Sequence, residues 1–245
     1  MSFPKVALID QTEHGVGPLH DLARYAAALQ VQVNRDLAPH WGVGADISVL
    51  AARAAIPKDT WPIKIVDPLP GQHGGVHLDD DGHPCAEAVY GDKGDKLSIA
   101  ISHELLEMLV DPQGNSFKRA IDCDPYSDGR KVDYLLEVCD PCEITSYKID
   151  EVSVSDFILP AFYNVHAAGP FDHCQTLVAP LPRQVPYGCY ISWVDRPDGT
   201  WHQQRPDGTF VIVDATPGAN PRHDRDTLLA QPNLHNISAI YQAWA

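Results

Sequence analysis

The spacing of apolar residues changes period several times along this chain. Residues 4–9 form a short apolar run that reads as a buried strand. A Gly-rich turn, His14-Gly15-Val16-Gly17-Pro18, follows. Leu19, Leu22, Ala26, Leu29, Val33 and Leu37 then recur every three or four residues, the apolar face of a long helix that Pro39 is expected to close. Residues 45–50 and 63–67 predict short strands, with Pro57 and Pro62 between them. Gly74-Gly75-Val76-His77-Leu78 runs into the acidic turn Asp79-Asp80-Asp81-Gly82, and residues 85–90 return, which predicts a hairpin. After a polar loop, residues 97–110 predict a second helix, stopped at Asp111-Pro112 because proline cannot continue it.

Beyond that helix the pattern weakens. Residues 114–133 read as loop, and 134–138, 144–149 and 152–157 as strands or short elements. After Asn164 the chain is rich in Pro, Gly and His. Arg196-Pro197-Asp198-Gly199-Thr200-Trp201 recurs as Arg205-Pro206-Asp207-Gly208-Thr209-Phe210. Pro-Asp-Gly makes tight turns, so the repeat predicts consecutive β-hairpins, not a solenoid. The expected organisation is an α+β domain over residues 1–164 and a C-terminal extension over 165–245 packed on it.

Composition narrows the field without naming a function. With 245 residues, 44% hydrophobic and 21% charged, the chain has the make-up of an ordinary globular protein. Its net charge of −15 disfavours nucleic acid and anionic lipid as partners. No apolar run reaches the roughly 18 residues of a membrane helix, and the N-terminus lacks a signal-peptide core. A soluble, cytoplasmic protein is the default expectation. Among the six cysteines, Cys139 and Cys142 form a lone C-x-x-C without a second pair to complete a structural zinc site. Packed thiols, or a disulfide involving Cys123, are expected instead.

The candidate chemistry lies in Ser102-His103-Glu104-Leu105-Leu106-Glu107. Residues four apart share a helix face, so His103 and Glu107 aim at one point, where an imidazole nitrogen and a carboxylate oxygen both suit zinc. Glu104, turned about 100° away, is placed as a general base for a metal-activated water. The common motif is H-E-x-x-H; a Glu in place of the second His adds negative charge and shifts preference towards harder ions. The third ligand is expected from Glu137-Val138-Cys139-Asp140. If that stretch is helical, Glu137 and Asp140 face one side, one binding the metal and the other orienting His103. Asp111 is a further candidate, and His73 and His77 are possible ligands that alone are more often structural. Asp122, Asp124 and Asp128 invite calcium, but their spacing does not fit an EF-hand loop.

The string from Ser102 to Pro112, followed by Glu137 to Cys142, resembles a group of bacterial and phage proteins with the pattern S-H-E-x-x-E-x-x-x-D-P and then E-x-x-D-x-C. These are similar to zincin metallopeptidases, and the resemblance spans roughly residues 1–165. It implies a zincin-like mixed sheet, with an antiparallel edge strand above the active-site helix and substrate adding as a further strand. It also implies His103, Glu107 and Glu137 as ligands of one zinc ion and Glu104 as base, with Asp140 in support or itself the ligand. The function expected is therefore a zinc metallopeptidase acting on a protein or peptide. The alternatives are a non-catalytic metal-binding module or a structural component of a phage or secretion system.

Overall fold

The computed structural model describes residues 3–17, 20–68, 74–80, 82–91, 96–177, 185–195 and 199–213. His73, the start of the first Pro-Asp-Gly repeat (196–198) and the chain beyond 213 lie outside the described residues. The molecule is a mixed α/β protein with few helices and several sheets.

Strand β1 (Lys5–Asp10) is buried from its second residue onward, as a central strand covered on both faces should be. Helix α1 (Leu22–Val31) starts at Asp21, whose side chain accepts the Arg24 N–H. The helix does not stop at Pro39. It widens into a π-helical segment, Gln32–Leu37, and then runs on as α2 (Ala38–Trp41) to a left-handed Gly42. A proline lacks the N–H and crowds the preceding turn; the wide π turn before it relieves both demands. Gly42 then supplies the positive φ that ends the helix.

Four more strands complete the first sheet: β2 (Asp46–Val49), β3 (Thr60–Val66), β4 (Gly75–Asp80) and β5 (His83–Val89). Their order is β2-β1-β3-β5-β4. The first four are parallel, and β4 alone runs antiparallel, at the edge, paired to β5 with His77 opposite Ala86. Helix α3 (Lys96–Val110) packs beneath β4 and β5. Leu97, Ile101, Leu105 and Met108 of α3 join Val6, Leu8, Leu29, Val33, Ile63 and Ile65 in one core.

The stretch expected as loop, 114–133, instead contains β6 (Phe117–Ile121) and the start of β7 (Lys131–Leu135). Exposed Lys118 and Arg119 sit side by side and break the alternation that marks a strand. The hairpin β8 (Ser146–Ile149) and β9 (Val152–Ser155) packs on α3. Strands β10 (Ile191–Asp195), β11 (Thr200–Gln204) and β12 (Phe210–Val213) are consecutive antiparallel strands, as the repeat predicts. They do not form a separate layer: β10 pairs with β7, giving the sheet order β12-β11-β10-β7-β6 across the boundary expected at 164/165. No helix among the described residues is long and apolar enough to cross a membrane.

Candidate metal centre

Helix α3 is held in place by a buried polar hub. The Ser102 hydroxyl donates to Gln32 Oε1 at 2.8 Å and accepts the Ser155 N–H at 2.9 Å, while Gln32 Nε2 donates to the Ser155 carbonyl. Ser98 donates to the Ser153 carbonyl one turn earlier. These bonds join the π segment, α3 and β9, and fix the rotation of α3 about its axis. Of its remaining polar side chains, His103, Glu104 and Glu107 then meet the edge strand and the segment after β7.

That segment is not helical at Glu137; a 3-10 turn begins only at Asp140 (Asp140–Cys142). Glu137 and Asp140 therefore serve different neighbours. Asp140 Oδ1 lies 3.2 Å from His103 Nε2, and Glu107 Oε1 lies 3.4 Å from the same nitrogen. Glu107 Oε1 also accepts the Cys139 N–H at 3.2 Å. The three side chains His103, Glu107 and Asp140 bring one ligand atom each to within 4.8 Å of one another.

Glu137 sits instead beside His77, with its Oε2 3.8 Å from His77 Nδ1. His77 projects from β4 towards α3, where Glu104 Oε2 and Glu107 Oε2 lie 3.9 and 3.6 Å from the same nitrogen. His77, Glu104 and Glu107 form a second group of converging ligand atoms. Among the described residues these are the two groups of three or more His, Cys, Asp or Glu that converge in this way, and Glu107 belongs to both. The set His103, Glu107 and Glu137 is thus split, with Asp140 beside His103 and Glu137 beside His77. Asp111 is fully buried at the end of α3, but its Oδ1 accepts the N–H groups of Asn115 and Ser116, a turn-closing role.

The electrostatics favour positive charge here. Burial alone would lower the His103 pKa; Glu107, Cys139 and the hydrogen bond to Asp140 outweigh it and hold the imidazole well above its usual value. Burial raises the Cys139 and Cys142 thiols, and all six cysteines are free, so the C-x-x-C is a pair of packed thiols and no disulfide involves Cys123. The donors are imidazole nitrogen and carboxylate oxygen, a set that fits zinc and its first-row neighbours.

The acids of the calcium expectation are used differently. Asp122, Asp124 and Asp128 accept the backbone N–H groups of Asp124, Tyr126 and Arg130, and Asp122 pairs with Arg130. They close the β6–β7 turn.

A His or Tyr of residues 147–173 is the expected source of an oxyanion donor, and Tyr163 lies in that stretch. Tyr163, in the 3-10 turn Pro160–Tyr163, is buried, and its hydroxyl has no hydrogen-bond partner among the described residues. Burial, then Glu137, Asp140 and Glu107, push its pKa up, so the phenol keeps its proton. No spacing rule connects a lone Tyr in a Pro-led turn to a helix sixty positions earlier, so the sequence does not pick Tyr163 out of that stretch. No protein-family model, no curated protein and no solved structure matches this chain; the donor set itself carries the functional reading.

Proposed function

We propose that this chain is a metal-dependent hydrolase of peptide bonds, with His103, Glu107 and Asp140 as ligands of a zinc-class cation. The observation that carries the reading is the convergence of those three side chains, with Glu107 also reaching His77 of the antiparallel edge strand β4 and Glu104 one residue from His103. A divalent cation there would supply Lewis acidity and lower the pKa of a coordinated water. Glu104 takes the proton of the attacking water and delivers it to the leaving amine. Tyr163 donates its phenolic hydrogen to the oxyanion. Of the other His and Tyr residues in 147–173, Tyr147 is committed to Asp36, His166 is exposed, and His173 stacks on Phe157 beside Asp36. A peptide adds to the free edge of β4 as a further strand, with main-chain hydrogen bonds giving affinity. A zincin-like fold belongs to the same proposal, supported by the mixed sheet with its antiparallel edge over α3.

The burial of Glu104, Glu107, Glu137, Asp140 and His77 favours one other reading, a metal-stabilised module without catalysis. Incubating zinc-loaded protein with an unstructured protein substrate separates the two. Cleavage by wild type that falls by about 10²–10⁴-fold in Glu104→Gln, with metal still bound at His103, supports the hydrolase. Bound metal without cleavage supports the module.

A further inference from the structure

Glu107 presents its two oxygens to two different imidazoles. Oε1 faces His103 Nε2 at 3.4 Å and Oε2 faces His77 Nδ1 at 3.6 Å. A carboxylate with one oxygen on each of two nitrogen donors has the arrangement of a bridging ligand between a pair of cations.

His77 is the second, independent pointer. Its side chain is 0% exposed, and neither ring nitrogen has a hydrogen-bond partner among the described residues. A buried imidazole normally secures at least one. Its Nδ1 instead stands 3.6–3.9 Å from Glu107, Glu137 and Glu104, too far for hydrogen bonds. Ligand atoms on a tetrahedral zinc, each about 2.0–2.1 Å from the ion, lie about 3.3 Å apart. The three gaps to His77 Nδ1 exceed that spacing by about 0.3–0.6 Å.

The surroundings are shaped to hold Glu104 in that group. A Cβ on Gly75 of β4 would come within 2.6 Å of Glu104 Cγ and Oε1, so the strand gives up a side chain where the carboxylate lies. Charge agrees as well. Glu104, Glu107, Glu137 and Asp140 together carry four negative charges when ionised; one divalent cation offsets two, a pair offsets all four.

We propose that the centre takes two divalent cations of the zinc, manganese or ferrous class. One is bound by His103 and Asp140, the other by His77 and Glu137, with Glu107 shared between them and Glu104 left beside the second ion as the base. This rests on the metal reading of the His103 group and adds a site on the edge strand.

The test uses the full chain, stripped with chelator and reloaded separately with zinc chloride and manganese chloride. Elemental analysis after desalting should give about two ions per chain for wild type and about one for His77→Gln. Manganese-loaded wild type should show the spectrum of a spin-coupled pair by electron paramagnetic resonance, and His77→Gln that of an isolated ion. If wild type saturates at one ion and gives an uncoupled spectrum, the second site is overturned while the first stands. If wild type takes up no metal, both fall. The coupled signal in wild type keeps the proposal testable even if His77→Gln does not fold.

Discussion

His77 on the edge strand and Glu107 on helix α3 meet at 3.6 Å across the gap between sheet and helix. The contact ties the element that would receive substrate to the element that would hold the metal. Any shift of β4 relative to α3 is therefore felt at the donor atoms first.

Gly75 tests that coupling. In Gly75→Ala the new methyl meets Glu104 at 2.6 Å and the Glu87 carbonyl at 2.8 Å, and the second neighbour is backbone that cannot swing away. Overpacking of this kind costs about 1–3 kcal/mol. Urea unfolding should show that loss, and zinc titration should show weaker uptake. A variant with wild-type stability and wild-type uptake would show that Glu104 yields freely and is not held in place by β4.

Tyr163 should matter to turnover and not to metal content. Tyr163→Phe removes one hydroxyl, and the loss of a single oxyanion donor lowers kcat by about 10²–10³-fold. KM and bound metal should stay near wild type, read by steady-state kinetics and elemental analysis. Unchanged kcat would remove Tyr163 from the mechanism.

Asp156 gives the chain a built-in dependence of stability on pH, away from the metal. Burial, then a hydrogen bond to Asp172, raises the Asp156 pKa to about 8. An unfolded aspartate titrates near 4, so between about pH 4 and about pH 8 the folded state holds a proton that the unfolded state has released. Stability from this group is present in full below about pH 4 and is lost as pH rises to about 8. Asp172, held low despite its burial by Asp156, Thr176 and Leu177, acts in the opposite sense, with stability lost as pH falls below about 4. Urea midpoints measured across this range should fall with pH in wild type, and Asp156→Asn should be flatter over the same window. Parallel wild-type and variant curves would contradict the assignment.

The helical half of the site is readable because a helix has a fixed period: His103 and Glu107 share a face, and Glu104 is one step round. The edge hairpin and the consecutive strands after Ile191 follow from their Asp-Gly turns. His77 is a different case. Its position on a strand says which face it takes, but not that this face lies over residue 107, a matter of tertiary packing. The Glu137–Asp140 spacing suggests one shared face only if the stretch is helical; the chain turns at Asp140 and sends the two acids to different imidazoles. Pro39 reads as a stop because proline usually is one, and the π segment that accommodates it has no periodic signature. Residues 117–121 hide as a strand behind two exposed cations in a row.

The pairing of β10 with β7 has a consequence for how the protein comes into being. Tyr190 donates its backbone N–H to the Asp140 carbonyl at 3.2 Å, and the strand that follows covers the outer edge of β7. During synthesis on the ribosome, α3 and the edge strand emerge long before residues 190–195. Until those arrive, the peptide carrying Glu137 and Asp140 lacks its outer support. Residues 190–195 thus act as a latch, and the peptide carrying Glu137 and Asp140 takes its final position only after they are made.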